Sequence, residues 1–226
     1  MGSQVACKHQ VSKIPSGISS MKNEEYWNKR AASYDEHVIT EYADANEQTV
    51  SRSLAYLKGS DEVLEIACGT GIMTLGIIDH VSHITAIDIS SAMLDRLREK
   101  TEGRYTNLSL MHTDIFDHEF DDKKFDVIAA YNVLLYMENV SEVLRRIHSL
   151  LRPGGMFLSA SDCVGGIDNA DAAEKRRRVE KGELSFVGFF TPDELAKTIE
   201  KAGFTVLESE NIHEGTPNQF IAAKRI

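Results

Sequence analysis

The chain contains 226 residues, of which 42% are hydrophobic and 27% are charged, so it can bury one sizeable core and is not a mostly disordered protein. Its formal net charge of −10 argues against nonspecific binding to nucleic acids or anionic membranes, and no run of residues approaches the ~20 apolar residues of a membrane span. The three cysteines form neither a disulfide framework nor a C-x-x-C pattern, which favours a reducing compartment.

The first segment is predicted to be a leader without a core-forming pattern. Residues 1–21 are mostly polar, contain Pro15 and Gly17, and lack the apolar stretch of a signal peptide. The run that begins at Met21 is typical of a natural chain start. We therefore expect a flexible leader, in part an addition upstream of that start, followed by one domain over residues 22–226.

Helices and strands are then predicted in alternation. Trp27, Arg30 and Tyr34 recur with helical spacing and predict a helix over residues 24–33, followed by a second helix over 42–57. Short apolar runs predict strands over residues 62–67, 84–88, 108–112, 125–130 and 156–159. Further helices are predicted over 72–78 and 140–151, and two more begin after the caps Ser90 and Thr191. The last two predicted strands cover 204–207 and 220–223.

This alternation predicts an α/β fold, a Rossmann-like doubly wound sheet that is mostly parallel, with helices on both faces. Ligands bind at the carboxyl ends of the strands in such sheets. Only polar residues separate the last two strands, so we expect an edge hairpin with an antiparallel last strand. A polar insertion over 161–190 breaks the alternation. Its charged run over 174–178 predicts a solvated helix face, and contact of residues 175–178 with an anionic acceptor is the alternative.

A glycine-rich turn follows the first predicted strand, in the run Glu65-Ile-Ala-Cys-Gly-Thr-Gly71. Glycine has no Cβ, so the backbone can turn sharply there and approach a ligand closely. A dinucleotide site has the pattern G-x-G-x-x-G, but Thr74 stands where its last glycine or alanine is expected. A phosphate-binding P-loop is excluded because no Gly-Lys-Ser/Thr sequence follows.

The turn instead resembles the first motif of class I S-adenosylmethionine-dependent methyltransferases, in which an acidic residue precedes a G-x-G-x-G loop. Ala67 replaces the first glycine of that pattern. The resemblance extends over residues 22–226, and five motifs in the family's order make it specific. The other matches are Asp88 after the second strand, Asp114-Ile115 after the third, the fourth-strand run over 125–132 and the turn over 151–155.

The resemblance implies S-adenosylmethionine as cofactor and S-adenosylhomocysteine as product. It implies that Asp88 accepts hydrogen bonds from the ribose hydroxyls, that Asp114 accepts from the adenine amino group, and that Glu65 lies near the cofactor ammonium. Tyr34 resembles the family's aromatic cover, with core packing as the alternative. The resemblance also implies that Ile89 and Met93 sandwich the adenine ring, again with core packing as the alternative, and that Ile115 supplies an apolar wall beside it. The residues implied to contact the cofactor are Tyr34, Glu65, Ala67, Cys68, Gly69, Gly71, Asp88, Ile89, Met93, Asp114, Ile115, Tyr131 and Asn132.

The implied function is S-adenosylmethionine-dependent methyl transfer to a small-molecule acceptor by in-line SN2 displacement. Alignment and water exclusion carry most of that reaction, so no catalytic residue is assigned, and no metal site is expected. The insertion over 161–190 is expected to be an acceptor-side lid. Phe189 and Phe190 either cover the acceptor or anchor the insertion, and the acceptor-side candidates are Trp27, Tyr136, Phe189 and Phe190.

Two other functions remain open from the sequence. One is a non-catalytic S-adenosylmethionine-binding regulatory module, and the other is a nicotinamide-dependent oxidoreductase. The expected partner is a small-molecule acceptor, with no nucleic acid and no membrane, and the expected state is a monomer or homodimer. The expected location is cytoplasmic.

Overall fold

The computed structural model describes residues 17–116 and 124–226, which form a seven-stranded sheet with the order β3-β2-β1-β4-β5-β7-β6. Strands β1 to β5 pair in parallel, and β7 lies antiparallel between β5 and β6. The predicted fold class is therefore confirmed. The strands are β1 (Glu62–Ile66), β2 (His83–Asp88), β3 (Leu108–His112), β4 (Phe125–Tyr131), β5 (Leu151–Asp162), β6 (Phe204–Asn211) and β7 (Asn218–Arg225).

The helices of the described residues are α1 (Gly17–Arg30), α2 (Tyr34–Glu41), α3 (Ala43–Leu54), α4 (Ile72–Ile77), α5 (Ser91–Thr101), α6 (Val140–Leu150), α7 (Ala170–Glu180) and α8 (Pro192–Lys201). None of them is both long and apolar enough to cross a bilayer. Helix α1 begins inside the segment predicted to be a leader, whose residues 1–16 lie outside the described residues. The second predicted helix, over 42–57, corresponds to α3, whereas α2 was not predicted. Tyr42 takes the non-helical backbone angles φ −129° and ψ 23° and separates the two helices.

Two apolar clusters cover the two faces of the sheet. One packs α6 and α8 on side chains such as Leu64, Ile128 and Phe157, and the other packs α4 and α5 on side chains such as Ile84 and Val127. The central strands are apolar on both faces for this reason, as their sequences predict. Both clusters hold β1, β2 and β4 in register, so the carboxyl ends of these parallel strands lie side by side at the same end of the sheet.

Strand β5 begins earlier than predicted, with a bulge inside it. Between Phe125–Leu151 and Val127–Met156, β4 advances two residues while β5 advances five. The predicted turn over 151–155 is this bulge. A Cβ on Gly155 would lie 2.8 Å from the Asp126 carbonyl oxygen, so the close approach of the two backbones requires glycine there.

The insertion between β5 and α8 forms its own small core around α7. Its buried members are Leu135, Val164, Ala172, Leu184 and Val187. Phe190 packs against both this core and the cluster under α6 and α8. The prediction of a solvated helix face is wrong at Lys175, which is only 6% exposed and whose ammonium pairs with the carboxylates of Asp162 and Asp171.

Thr191 closes the insertion with a capping box at the start of α8. Its side-chain oxygen accepts from the Glu194 backbone N–H, and the Glu194 carboxylate accepts from the Thr191 N–H at 2.9 Å. The Thr191→Ala variant should lose about 1 kcal/mol of unfolding free energy, because one backbone N–H at the helix start loses its partner. Urea unfolding measures this loss. Thr198→Ala, later in the same helix, is the control, and an equal loss in both variants would contradict the capping role.

Candidate active site

The loop after β1 takes backbone conformations that favour glycine. The φ angles of Ala67, Gly69 and Gly71 are 54°, 55° and 82°. A Cβ on Gly71 would lie 2.2 Å from Leu97 Cδ1, so the loop packs closely on α5. The nearest described atom to a Cβ on Gly69 is Tyr34 Cε1, at 4.0 Å, which leaves open space above that residue. The loop therefore exposes backbone to a ligand directly beneath the Tyr34 ring.

Asp88 lies beside this loop at the end of β2. Its carboxylate is 6% exposed and accepts from the backbone N–H groups of Gly69, at 2.8 Å, and Ser90, at 2.7 Å. Burial raises the pKa of Asp88, while these two hydrogen bonds act in the opposite direction. A carboxylate offers about four lone-pair positions, so it keeps acceptor capacity for hydroxyl donors of a ligand.

Glu65 lies beneath the loop and is 2% exposed. Its carboxylate accepts a hydrogen bond of 2.6 Å from Thr74 Oγ1. Thr74, the residue that departs from the dinucleotide pattern, therefore holds the Glu65 side chain in position. Burial raises the pKa of Glu65 to about 7, and the nearby Asp88 carboxylate adds to the rise. A positive charge next to Glu65 would favour its ionised form, which suits the predicted ammonium neighbour.

The residues predicted to surround the adenine divide into two kinds. Ile115 and Met93 are 2% exposed and fill the core, whereas Ile89 and Asp114 are half-buried at the sheet edge. Asp114 Oδ1 accepts from the Phe116 backbone N–H at 2.6 Å, which fixes the carboxylate after β3. Ile89 and Asp114 are therefore the members of this set placed to contact a ligand at the edge.

Cys68, inside the loop, is buried among apolar side chains. Burial raises the pKa of its thiol well above the ordinary range, so the thiol stays protonated and is a small apolar filler rather than a nucleophile. The described residues contain no group of three or more side chains able to hold a metal ion.

Helix α2 is fastened to the loop by a group of three side chains, here called the clasp: Asp35, Thr70 and Lys100. The Asp35 carboxylate accepts from Thr70 Oγ1 and pairs with Lys100 Nζ, both at 2.5 Å. Lys100 Nζ also donates to the Thr70 carbonyl oxygen at 2.9 Å. The clasp holds the neighbouring Tyr34 over the loop, as the resemblance predicts for an aromatic cover.

Four aromatic rings continue from this cover toward the insertion and form the aromatic cluster: Tyr26, Trp27, Tyr34 and Tyr136. The Trp27 ring lies 6.2 Å from Tyr34, 5.2 Å from Tyr136 and 5.0 Å from Tyr26, each in edge-to-face geometry. Burial raises the pKa of Tyr34 to about 12, and the carboxylates of Asp88 and Asp162 add to the rise. Tyr34 therefore stands between the loop side and the insertion side of the site.

A second group, here called the polar cluster, contains Asn132, Asp162, Asp171, Lys175 and Asn218, of which the sequence analysis singled out Asn132 and the charged run with Lys175 but not the other three. Asn218 Nδ2 donates to Asn132 Oδ1 at 2.8 Å and to Asp162 Oδ1 at 2.9 Å. Lys175 Nζ pairs with Asp162 at 3.1 Å and with Asp171 at 2.5 Å. Asn132, predicted to contact the cofactor, thus joins the ends of β4, β5 and β7, with a φ of 53° that asparagine tolerates.

Three residues that were predicted to contact a ligand instead contact other parts of the chain: Tyr131, from the cofactor set, and Phe189 and Phe190, from the acceptor set. The Tyr131 ring is buried on the face of the sheet opposite Asn132, and its hydroxyl pairs with Ser53 at 2.7 Å, because side chains alternate along a strand. Phe189 is 37% exposed with the Arg176 guanidinium 4.9 Å above its ring, and Phe190 joins two cores, so both contacts favour anchoring over a lid.

Comparison with known proteins gives a consistent result. The family profile described as "Methyltransferase domain" matches residues 63–155. The ubiquinone biosynthesis O-methyltransferase of Coxiella burnetii is 26% identical over 161 residues, which cover 70% of this chain and 68% of that protein. The N-methyltransferase NodS from Bradyrhizobium japonicum, solved with S-adenosylhomocysteine, has a TM-score of 0.73 at 19% identity and covers 90% of this chain and 98% of that one.

A Haloferax volcanii methyltransferase, solved with the Trm112 methyltransferase activator, also has a TM-score of 0.73, at 16% identity, and covers 89% of this chain and 96% of that chain. The matched profile and the relatives together identify an S-adenosylmethionine-dependent methyltransferase, and the sheet order agrees with the Rossmann-like fold of the solved structures. The methyltransferase domain is matched over residues 63–155, and the chain as a whole is similar to class I methyltransferases.

Glu65 should make stability depend on pH. Its pKa in the folded protein, about 7, is above its ordinary value of 4.5, so the folded state holds the proton more tightly. Unfolding free energy should therefore fall by up to about 3 kcal/mol as pH rises between these values. Glu65→Gln should remove this fall, measured by urea unfolding at several pH values. Glu62→Gln, an exposed acid on the same strand, should keep it, and an unchanged profile in Glu65→Gln would contradict the assignment.

The clasp should matter to ligand retention more than to folding. Asp35→Ala removes the carboxylate that joins α2 to the loop, so S-adenosylhomocysteine should dissociate faster and bind about fivefold more weakly, equivalent to about 1 kcal/mol. The melting temperature should change little, because Asp35 is partly exposed. Calorimetry and stopped-flow dissociation measure both effects. Glu36→Ala, an exposed acid in the same helical turn, should match the wild type.

Proposed function

We propose that this methyltransferase transfers a methyl group from S-adenosylmethionine to a small-molecule acceptor by in-line displacement and releases S-adenosylhomocysteine. The observation that carries the proposal is the Asp88 carboxylate held beside an open glycine loop under the Tyr34 ring. When bound, S-adenosylmethionine supplies an electrophilic methyl group on a sulfonium. The ring face of Tyr34 suits such a cation.

Each end of the cofactor has a suitable partner in the chain. We assign Asp88 to the ribose hydroxyls, Asp114 to the adenine amino group and Glu65 to the ammonium. Arg30, which the sequence analysis did not single out, suits the carboxylate. It is half-buried, 5.4 Å from the Tyr26 ring, and its Nε atom has no hydrogen-bond partner among the described residues.

The protein's own contribution to the reaction is positioning and exclusion of water. The aromatic cluster covers the edge between the loop and the insertion, and the clasp keeps Tyr34 in place. Proximity and orientation alone can supply about 7–11 kcal/mol of barrier reduction, so a methyl transfer requires no strongly marked base. We assign none.

The acceptor class and the assembly are part of the proposal. The names of the relatives refer to O- and N-methyl transfer on their own substrates, which supports a small-molecule acceptor here. The charge of −10 supports action without nucleic acid or membrane partners. Cys68 and Cys163 are free and buried, which fits a cytoplasmic location. We propose a monomer or homodimer, and gel filtration with light scattering would distinguish them.

The function is tested by ligand-dependent thermal shifts followed by turnover. S-adenosylmethionine and S-adenosylhomocysteine should each raise the melting temperature, while NAD should leave it unchanged. A shift with NAD alone would favour the oxidoreductase. Production of S-adenosylhomocysteine from a metabolite pool would then support catalysis. Cofactor binding without turnover across a broad pool would favour the regulatory module.

Asp88→Asn should weaken S-adenosylhomocysteine binding by at least about tenfold, equivalent to about 1.4 kcal/mol, because the ribose hydroxyls lose a charged acceptor. Calorimetry measures the dissociation constant. Asp114→Asn should have a smaller effect, since it replaces one contact to the adenine. Asp95→Asn is the control because that carboxylate is 63% exposed on α5. An unchanged dissociation constant in Asp88→Asn would remove the ribose assignment.

A further inference from the structure

The polar cluster contains more hydrogen-bond acceptors than the chain satisfies. Asn218 is 2% exposed, and its Oδ1 atom has no partner among the described residues. The same holds for Asp171 Oδ2. A buried oxygen without a donor costs about 1–3 kcal/mol, so both atoms favour a ligand that donates hydrogen bonds. Because Asn218 Nδ2 donates to Asn132 and Asp162, the amide group is held in the cluster and its unpaired oxygen has a fixed position beside it.

The charge of the polar cluster is negative. Asp162 and Asp171 share the single ammonium of Lys175, which leaves a net charge of −1. Lys175 is 6% exposed and already neutralised on two sides, so it is poorly placed to attract an anionic ligand. An incoming carboxylate would meet two carboxylates, whereas a cation would compensate the excess charge.

The aromatic cluster packs against the helix that carries part of the polar cluster. Tyr26 and Tyr136 pack on the insertion core that contains Ala172, and the Tyr26 hydroxyl accepts from Arg178 at 2.7 Å, on the same helix as Asp171 and Lys175. Burial raises the pKa of Tyr136 and of Tyr42, and in both cases the Asp162 carboxylate makes the next largest contribution. The Asp88 and Asp162 carboxylates also raise the pKa of Tyr34. The negative charge of Asp162 therefore acts on Tyr34, Tyr42 and Tyr136. Aromatic faces around a carboxylate form a favourable site for a cation.

We propose that the polar and aromatic clusters together bind a basic amine group of the acceptor, so that the enzyme is an N-methyltransferase. This inference rests on the proposed function, because it concerns the acceptor side of the same site. Asn218 Oδ1 and Asp171 Oδ2 accept from the amine N–H groups, and the net negative charge favours its protonated form during binding.

Transfer then requires the neutral amine, because only this form has a free lone pair. The bound ammonium therefore loses one proton to solvent water before attack. The nitrogen lone pair forms the new N–C bond as the C–S bond breaks, and that electron pair stays on sulfur. The product is a methylated ammonium. It gives a second proton to water and leaves as the free methylated amine. The balance needs no oxidant, reductant or metal.

Three probes that share one ring and differ in head group test the proposal: benzylamine, benzyl alcohol and benzoate. Each is titrated by saturation-transfer NMR against the protein saturated with S-adenosylhomocysteine. Benzylamine should bind at least about fivefold more tightly than the other two, equivalent to about 1 kcal/mol. If benzoate or benzyl alcohol binds the wild-type protein more tightly than benzylamine does, the proposal is overturned.

Variants then locate the site. Asp162→Asn and Asp171→Asn should each weaken benzylamine binding at least about fivefold, while Asp79→Asn, an exposed acid at the opposite edge of the sheet, should not. The dissociation constant of S-adenosylhomocysteine should stay within about twofold in all three. Unchanged benzylamine binding in a folded Asp171→Asn protein would overturn the proposal even if Asp162→Asn fails to fold.

The same measurements separate two kinds of failure. If S-adenosylhomocysteine does not bind the wild-type protein, the proposed function itself fails. If it binds with the expected thermal shift while benzylamine shows no preference over benzoate, only the amine assignment fails.

Discussion

The hydrogen bond from the Gly69 N–H to the Asp88 carboxylate is the interaction on which the site depends. A buried carboxylate needs donors, and Asp88 obtains them from the glycine loop and from the start of α5. This bond fixes the end of β2 against the end of β1. The loop can reach that position because Gly69 and Gly71 adopt positive φ angles, and Ala67 does so at a cost of about 1 kcal/mol.

The cover over the loop is built on the same arrangement. Asn28 Oδ1 accepts from Ser90 Oγ and from the Ala92 N–H, so α1 is joined to the start of α5 directly after Asp88. The other side of α1 reaches the insertion through Tyr26, whose hydroxyl accepts from Arg178 at 2.7 Å. Helix α1 therefore bridges the glycine loop region and the insertion.

Features encoded by neighbouring residues were predictable from the sequence, and features that join distant residues were not. The alternating strands, the Ser90 and Thr191 caps and the glycine loop each depend on a few consecutive residues, and all are present. Lys175 looked like part of a solvated basic run because its partner Asp162 lies on another element. Asn218 belongs to a strand far along the chain, so only the antiparallel pairing of β7 with β5 brings it to Asp162.

The separate core of the insertion has a consequence for how this protein can diverge. Its buried residues pack mainly on one another, and Phe190 is one of the few side chains they share with the core beneath the sheet. Substitutions among these residues are separated from the strand that carries Asp88, and α1 joins the two parts through Tyr26 on the insertion core and Asn28 beside Ser90. Natural variation can therefore reshape the insertion step by step while the glycine loop stays constant, provided that the contacts of Tyr26 and Phe190 are retained.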